Sequence, residues 1–159
     1  NFVFGVGDPN AELMLVGEAP GEKEDQEGEP FVGRSGELLN KILAAIDKNR
    51  HKGVYITNVL KCRPPNNRDP LPSEVDKCEP YLLKQVGMIK PKLILALGKV
   101  AARTLLKKDI PLKEMRGTIY DYYGTPLRVT YHPAALLRNP DFKKFAWDDF
   151  QWARDYLIG

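Results

Sequence analysis

LMLVGEAPGEKEDQEGEPFVGRSGELLNKILAAI, residues 13–46, passes from an apolar run through a long glycine-studded loop into an amphipathic helix. The run Leu13-Met14-Leu15-Val16 has the length and flanks of a buried strand. Leu38, Leu39, Ile42, Leu43 and Ile46 then share one face of a helix. Between them stand Gly17, Gly21, Gly28, Gly33 and Gly36, two prolines and five carboxylates from Glu18 to Glu27. Connections of this length are uncommon between a strand and its helix unless they have a function. Solvation of an acidic loop accounts for the carboxylates. It leaves Pro30-Phe31-Val32 unexplained, an apolar patch set among glycines that let backbone approach a ligand. The stretch therefore reads as a binding loop at the carboxyl end of a strand, where open α/β sheets hold ligands.

The 159 residues suffice for one domain, 1–159, with a real core. With 43% hydrophobic and 28% charged residues the composition is that of an ordinary folded protein. A net charge of +3 and a pI of 8.8 permit a polyanionic partner without requiring one. No apolar run approaches membrane-spanning length and no signal peptide is visible, so a cytoplasmic monomer without membrane contact is expected. The chain opens on Asn1 and enters structure at once through Phe2-Val3-Phe4, and an upstream segment is expected to be missing. Cys62 and Cys78, with fifteen residues between them, read either as two free thiols or as half of a metal site.

Downstream, residues 54–60 (VYITNVL) form a β-branched and aromatic strand. It runs into KCRPPNNRDP, residues 61–70, a proline-rich loop incompatible with helix or central strand. Ser73 is expected to cap the next helix, with Glu74 and Asp76 in its first turn and Pro91 ending it. Residues 93–97 (LILAL) are apolar on both faces, as in a parallel sheet, and Gly98 turns them into another helix. Short strands at 119–123 and 127–130 follow, then His132-Pro133 and a closing amphipathic helix marked by Trp147, Phe150, Trp152 and Tyr156. This alternation predicts a three-layer α/β/α sandwich around a mainly parallel, roughly four-stranded sheet. The opening loop, Asn58 and His132 all fall at strand ends, where one rim can gather them.

An aromatic, an amide, a carboxylate and an imidazole suit a flat heterocycle. Phe31 can stack on a base, a contact worth roughly 1–3 kcal/mol. Asn58 carries an acceptor and a donor in one plane and can pair with N3–H and O4 of uracil. Cytosine presents the opposite order, which leaves polar groups unpaired. His132 can donate to a developing oxyanion such as O2 of departing uracil. Each residue also has a plain structural role open to it: core for Phe31, strand-end turn for Asn58, a backbone partner for His132. Residue chemistry alone stops at a nucleotide or base pocket.

Four motifs carry the reading further. GEAPG at 17–21, PFVGRSG at 30–36, Asn58 followed by KCRPPNNR at 61–68, and HPAALLR at 132–138 resemble the family 4, iron–sulfur type, uracil-DNA glycosylases, in order and across essentially the whole chain. The resemblance implies a DNA repair hydrolase that flips uracil out of DNA and cleaves its N-glycosidic bond. It implies that Phe31 stacks on the base, Asn58 reads its edge, and Glu24 crowds the C5 position where thymine has a methyl. His132 would stabilise the leaving uracil anion. Ala19 stands where other members activate water with a carboxylate, which leaves Glu18 as the catalytic candidate. Leu136 matches a wedge that fills the gap left by the flipped base. Arg34, Lys61, Arg63, Arg68 and Arg138 would line the phosphate path. The family holds a [4Fe–4S] cluster on four cysteines, two of which Cys62 and Cys78 match; the other two would lie upstream. The alternatives are a relative with another choice of deaminated base, or a non-catalytic domain that binds damaged DNA. A related group traps its product through a His in an inserted basic loop, and no such insertion adjoins His132.

Overall fold

The computed structural model describes residues 3–64 and 69–159. Leucine and β-branched runs supply strands β2 (Leu13–Gly17), β3 (Val54–Asn58) and β4 (Leu93–Leu97), every residue of which is buried. With β6 (Thr125–Thr130) they form the four-stranded parallel centre that their two-sided apolar character predicts. Two short antiparallel strands, β1 (Val6–Gly7) and β5 (Tyr120–Tyr122), are added at the edges. Among the described residues the sheet order is β1-β3-β2-β4-β6-β5.

Alternation along each strand sends side chains to two cores. Leu13, Leu15, Ile56 and Leu95 face Leu39 and Leu43 of α2 (Gly33–Ala45) and Phe150 and Ala153 of α7 (Lys143–Ile158). Met14, Val16, Ile94 and Val129 face Leu82 and Val86 of α3 (Pro72–Ile89) and Ala102 and Leu105 of α4 (Lys99–Leu106). The result is a three-layer sandwich. Helix α1 (Glu22–Glu27) lies within the loop after β2, and α5 (Leu112–Met115) and α6 (Pro133–Arg138) flank β5 and β6.

One cap differs from expectation. Helix α3 starts at Pro72 with Leu71 as its N-cap, and Ser73 sits inside the first turn. Proline preorganises the first helical position. Glu74 Oε1 accepts the Leu71 N–H at 2.9 Å, so the carboxylate serves the end that Ser73 was expected to cap.

The chain moves outward from β2 to β3 and then crosses to β4 on the other side of β2. The strand order therefore reverses at β2, and a crevice opens at the carboxyl ends of its neighbours. Gly17 is paired with Asn58 and Leu97 with Thr130, so four strand ends finish level on one rim.

Candidate active site

The rim holds a cavity of about 240 Å³ lined by Glu18, Ala19, Glu24, Phe31, Asn58 and His132, together with Gly21, Ser35 and Ala134. Residues from three strand ends and the long loop thus meet as their sequence positions suggested. Phe31 and His132 face each other with ring centroids 5.1 Å apart. Gly17 lets Asn58 and Phe31 close over the strand end: a Cβ there would lie 2.5 Å from Asn58 Oδ1 and 2.7 Å from the Phe31 ring.

The order of the groups is chemically specific. His132 caps α6, its Nδ1 accepting the Ala134 N–H at 3.0 Å. A nitrogen that accepts has no proton, so in the neutral ring Nε2 carries it and is the donor. Burial, with a lesser contribution from the Arg138 charge, pushes the imidazole pKa down to about 4. The ring is neutral at physiological pH and still donates.

Glu18 presents the opposite chemistry. Its Oε2 is buried and has no hydrogen-bond partner among the described residues. Burial, and secondarily Asp69, raises its pKa above the usual carboxylate range, which makes it a better proton acceptor. Extended pairing beyond β3 fixes its backbone, since the Leu60 N–H donates to the Glu18 carbonyl at 2.9 Å. Glu18 also borders a second, mostly apolar hollow of about 370 Å³, which shares His132 and Ala134 and adds Gly98, Lys99, Tyr131 and Arg138. Glu24 is a wall. Its two oxygens accept the Gly21 and Val32 N–H groups, each at 2.9 Å, and hold the loop around the cavity.

Two residues expected to meet DNA are buried in the free protein. Lys61 was expected on the phosphate path, yet it is fully buried. Its Nζ donates to Thr57 Oγ1 at 2.6 Å, to the Asn58 carbonyl at 2.7 Å and to Gln85 Oε1 at 2.7 Å. Burial, partly offset by Cys78, pushes its pKa down to about 7. The residue braces the end of β3 beneath Asn58. Leu136 was expected as a wedge, but only 1% of it is exposed. Pro133 and Leu136, three positions apart, form the buried face of α6, which packs against α2.

Arg34 and Arg138 are exposed and Arg63 is half-buried, while Arg68 lies outside the described residues. Cys62 is exposed and Cys78 half-buried, and both are free thiols. Cys78 Sγ accepts the Lys61 N–H at 3.5 Å, which ties α3 to the residue before Cys62. No group of three or more metal-ligating side chains occurs among the described residues. Composition also passed over Gly98 and Lys99 of the second hollow. Their signal is a buried strand running through glycine into a helix, the pattern that exposes a helix N-terminus at the rim.

Comparison with known proteins adds an independent line. The model of the uracil DNA glycosylase superfamily matches residues 4–151. The chain is similar to a type-4 uracil-DNA glycosylase of Archaeoglobus fulgidus, with 46% identity over 95% of this chain and 79% of that protein. A type-4 uracil-DNA glycosylase of Thermotoga maritima is 40% identical over 99% of this chain and 83% of its own length. A type-5 uracil-DNA glycosylase of Pyrobaculum aerophilum is 32% identical over 82% of this chain and 64% of its own. No helix of the described residues is long and apolar enough to cross a membrane.

Proposed function

This chain belongs to the uracil-DNA glycosylase superfamily, and from that membership and its cavity we infer that it excises uracil from DNA. It is a hydrolase of N-glycosyl bonds acting in DNA repair. The observation that carries the site assignment is the convergence of Phe31, Asn58 and a neutral, donating His132 on one base-sized cavity.

Each group has one task. Uracil leaves the stack and slides against the Phe31 ring, while Asn58 meets its N3–H and O4. Glu24, locked by two backbone N–H groups, occupies the C5 side and rejects the thymine methyl. The bond between N1 of uracil and C1′ of the sugar then breaks, and its electron pair passes to the base. His132 Nε2–H donates to the O2 on which negative charge gathers. Water adds its oxygen to C1′. The unpartnered Oε2 of Glu18 takes the water's proton and releases it to solvent, from which the departing uracil anion takes one up, so one water is consumed and neutral uracil and an abasic sugar result. Arg34, Arg63 and Arg138 supply phosphate contacts around the rim.

For the cluster, the donor chemistry fits in part. A [4Fe–4S] cluster takes four thiolates and is tuned by N–H groups on sulfur, as Cys78 already has; such a cluster supplies structure or electron transfer. Cys62 and Cys78 would provide two ligands, and the other two would have to come from chain outside these 159 residues. Iron and labile sulfide in the protein as encoded by its gene check this. For the activity itself, the decisive experiment is release of free uracil from a uracil-containing oligonucleotide by the purified protein. Binding without release would instead favour a non-catalytic damage-binding domain.

A further inference from the structure

Phe31 has a φ of 52°, in the left-handed region that bulky side chains avoid. Such strain persists only where surrounding groups over-determine it. Here they do. The peptide unit joining Phe31 to Val32 is gripped at both ends by side chains of opposite charge. Its N–H donates to Glu24 Oε2 at 2.9 Å, and its carbonyl accepts from Arg50 Nη2. Arg50 Nη1 donates to the preceding carbonyl, that of Pro30, at 2.8 Å, and Nε donates to Asn40 Oδ1 at 2.8 Å. Glu29 adds an ion pair at 3.5 Å. The first turn of α2 closes the clamp from behind: a Cβ on Gly36 would stand 1.9 Å from the Phe31 carbonyl oxygen.

We propose that Arg50 is a positioning residue for base excision, holding the Phe31 ring where a flipped base stacks. The inference rests on the reading of Phe31 as the stacking wall of the cavity. Arg50 touches neither base nor sugar. It comes from the turn before β3, and three separate nitrogens of its planar fork reach two successive carbonyls and an amide in fixed relative directions, a geometry that the single nitrogen of an ammonium does not reproduce. With the fork removed, Glu24 alone holds the 31–32 peptide and both the Pro30 and Phe31 carbonyls lose their donor, so the backbone of Phe31 can leave its positive φ and the ring swings off the cavity wall. The same turn leads directly into β3, whose last residue is Asn58, so stacking wall and edge-reading amide are set from one segment.

A double-mutant cycle on single-turnover uracil release tests this, with Arg50→Met, Phe31→Ala and the pair, each assayed below its own thermal midpoint. Phe31→Ala should slow release by roughly 5- to 150-fold, the equivalent of one lost base stack. Arg50→Met should slow the wild-type enzyme by roughly tenfold, yet add less than about twofold in the Phe31→Ala background, since both act through one ring. Equal slowing in both backgrounds, or none in the wild type, overturns the assignment. If Arg50→Met does not fold, Arg50→Lys takes its place in the cycle with the same expectation, because it keeps the charge and loses the fork. A Phe31→Ala variant with undiminished release would locate the error in the stacking wall itself and not in Arg50.

Discussion

His132 shows how one backbone hydrogen bond sets a side chain's chemistry. Because the Ala134 N–H occupies Nδ1, the proton sits on Nε2, and burial keeps the ring neutral. Removing one aligned donor from an oxyanion costs about 2.7–4 kcal/mol, so His132→Ala should slow the chemical step roughly 10²–10³-fold. DNA affinity, dominated by phosphate contacts, should stay nearly constant; single-turnover rates and binding measured side by side separate the two. A parallel loss of both would make His132 a DNA-positioning group. The pH dependence follows from the ring's burial, with a lesser contribution from the Arg138 charge. A pKa lowered from 6.5 to about 4 means that the rate contribution of His132 holds steady through the range where an ordinary histidine titrates. The unfolded chain takes up the proton first as acid is added. Stability from this residue is therefore complete above about pH 6.5 and declines as pH falls toward 4. A His132-dependent inflection near neutral pH would contradict the buried, neutral state of the ring.

At the scale of the element, the segment from β3 into the loop before α3 depends on a buried amine. Lys61 Nζ satisfies Thr57 Oγ1, Gln85 Oε1 and the Asn58 carbonyl, while Gln85 Nε2 reaches the Phe4 carbonyl and the Tyr55 hydroxyl. Methionine at this position keeps much of the volume and removes all three donations, leaving Gln85 Oε1 with only the Thr57 hydroxyl at 3.2 Å. Lys61→Met should cost about 2–3 kcal/mol of stability, measured by denaturant unfolding. A stability within error of wild type would show that the network is not needed to hold β3. Sequence could not reveal this brace. Lysine in KCRPP, beside arginines, has the look of a phosphate contact; only the packing of α3 over the end of β3 turns it inward. The same holds for Leu136, whose apolar character suits a wedge and a core equally well.

Across the whole molecule, the rim divides labour between a cavity that holds the base and a charged border. Exposed Arg138, on the border, should contribute one counterion-releasing contact. Arg138→Ala should lower the slope of log affinity against log salt by about one, with little change in the order of base preference. Lys61→Met, assayed where it is folded, should leave that slope unchanged. If the two variants shift the slope alike, the buried placement of Lys61 does not describe the DNA-bound state.

Hydropathy and turn chemistry by themselves determined the parallel α/β/α order, because strands buried on both faces and helices buried on one carry different periodicities in any context. They also marked Phe31, Asn58 and His132, since strand ends in such a sheet share a rim. The tertiary structure alone decided which neighbours line the rim and which are buried beneath it. Lys61 and Leu136 lie beside rim residues in sequence and point into the core, whereas Arg50, some twenty residues from Phe31, grips its carbonyl. The physical reason is that periodicity reports whether a side chain is buried on average. Which long-range partner satisfies a given lysine, carbonyl or strained peptide is settled only when separate segments close on one another.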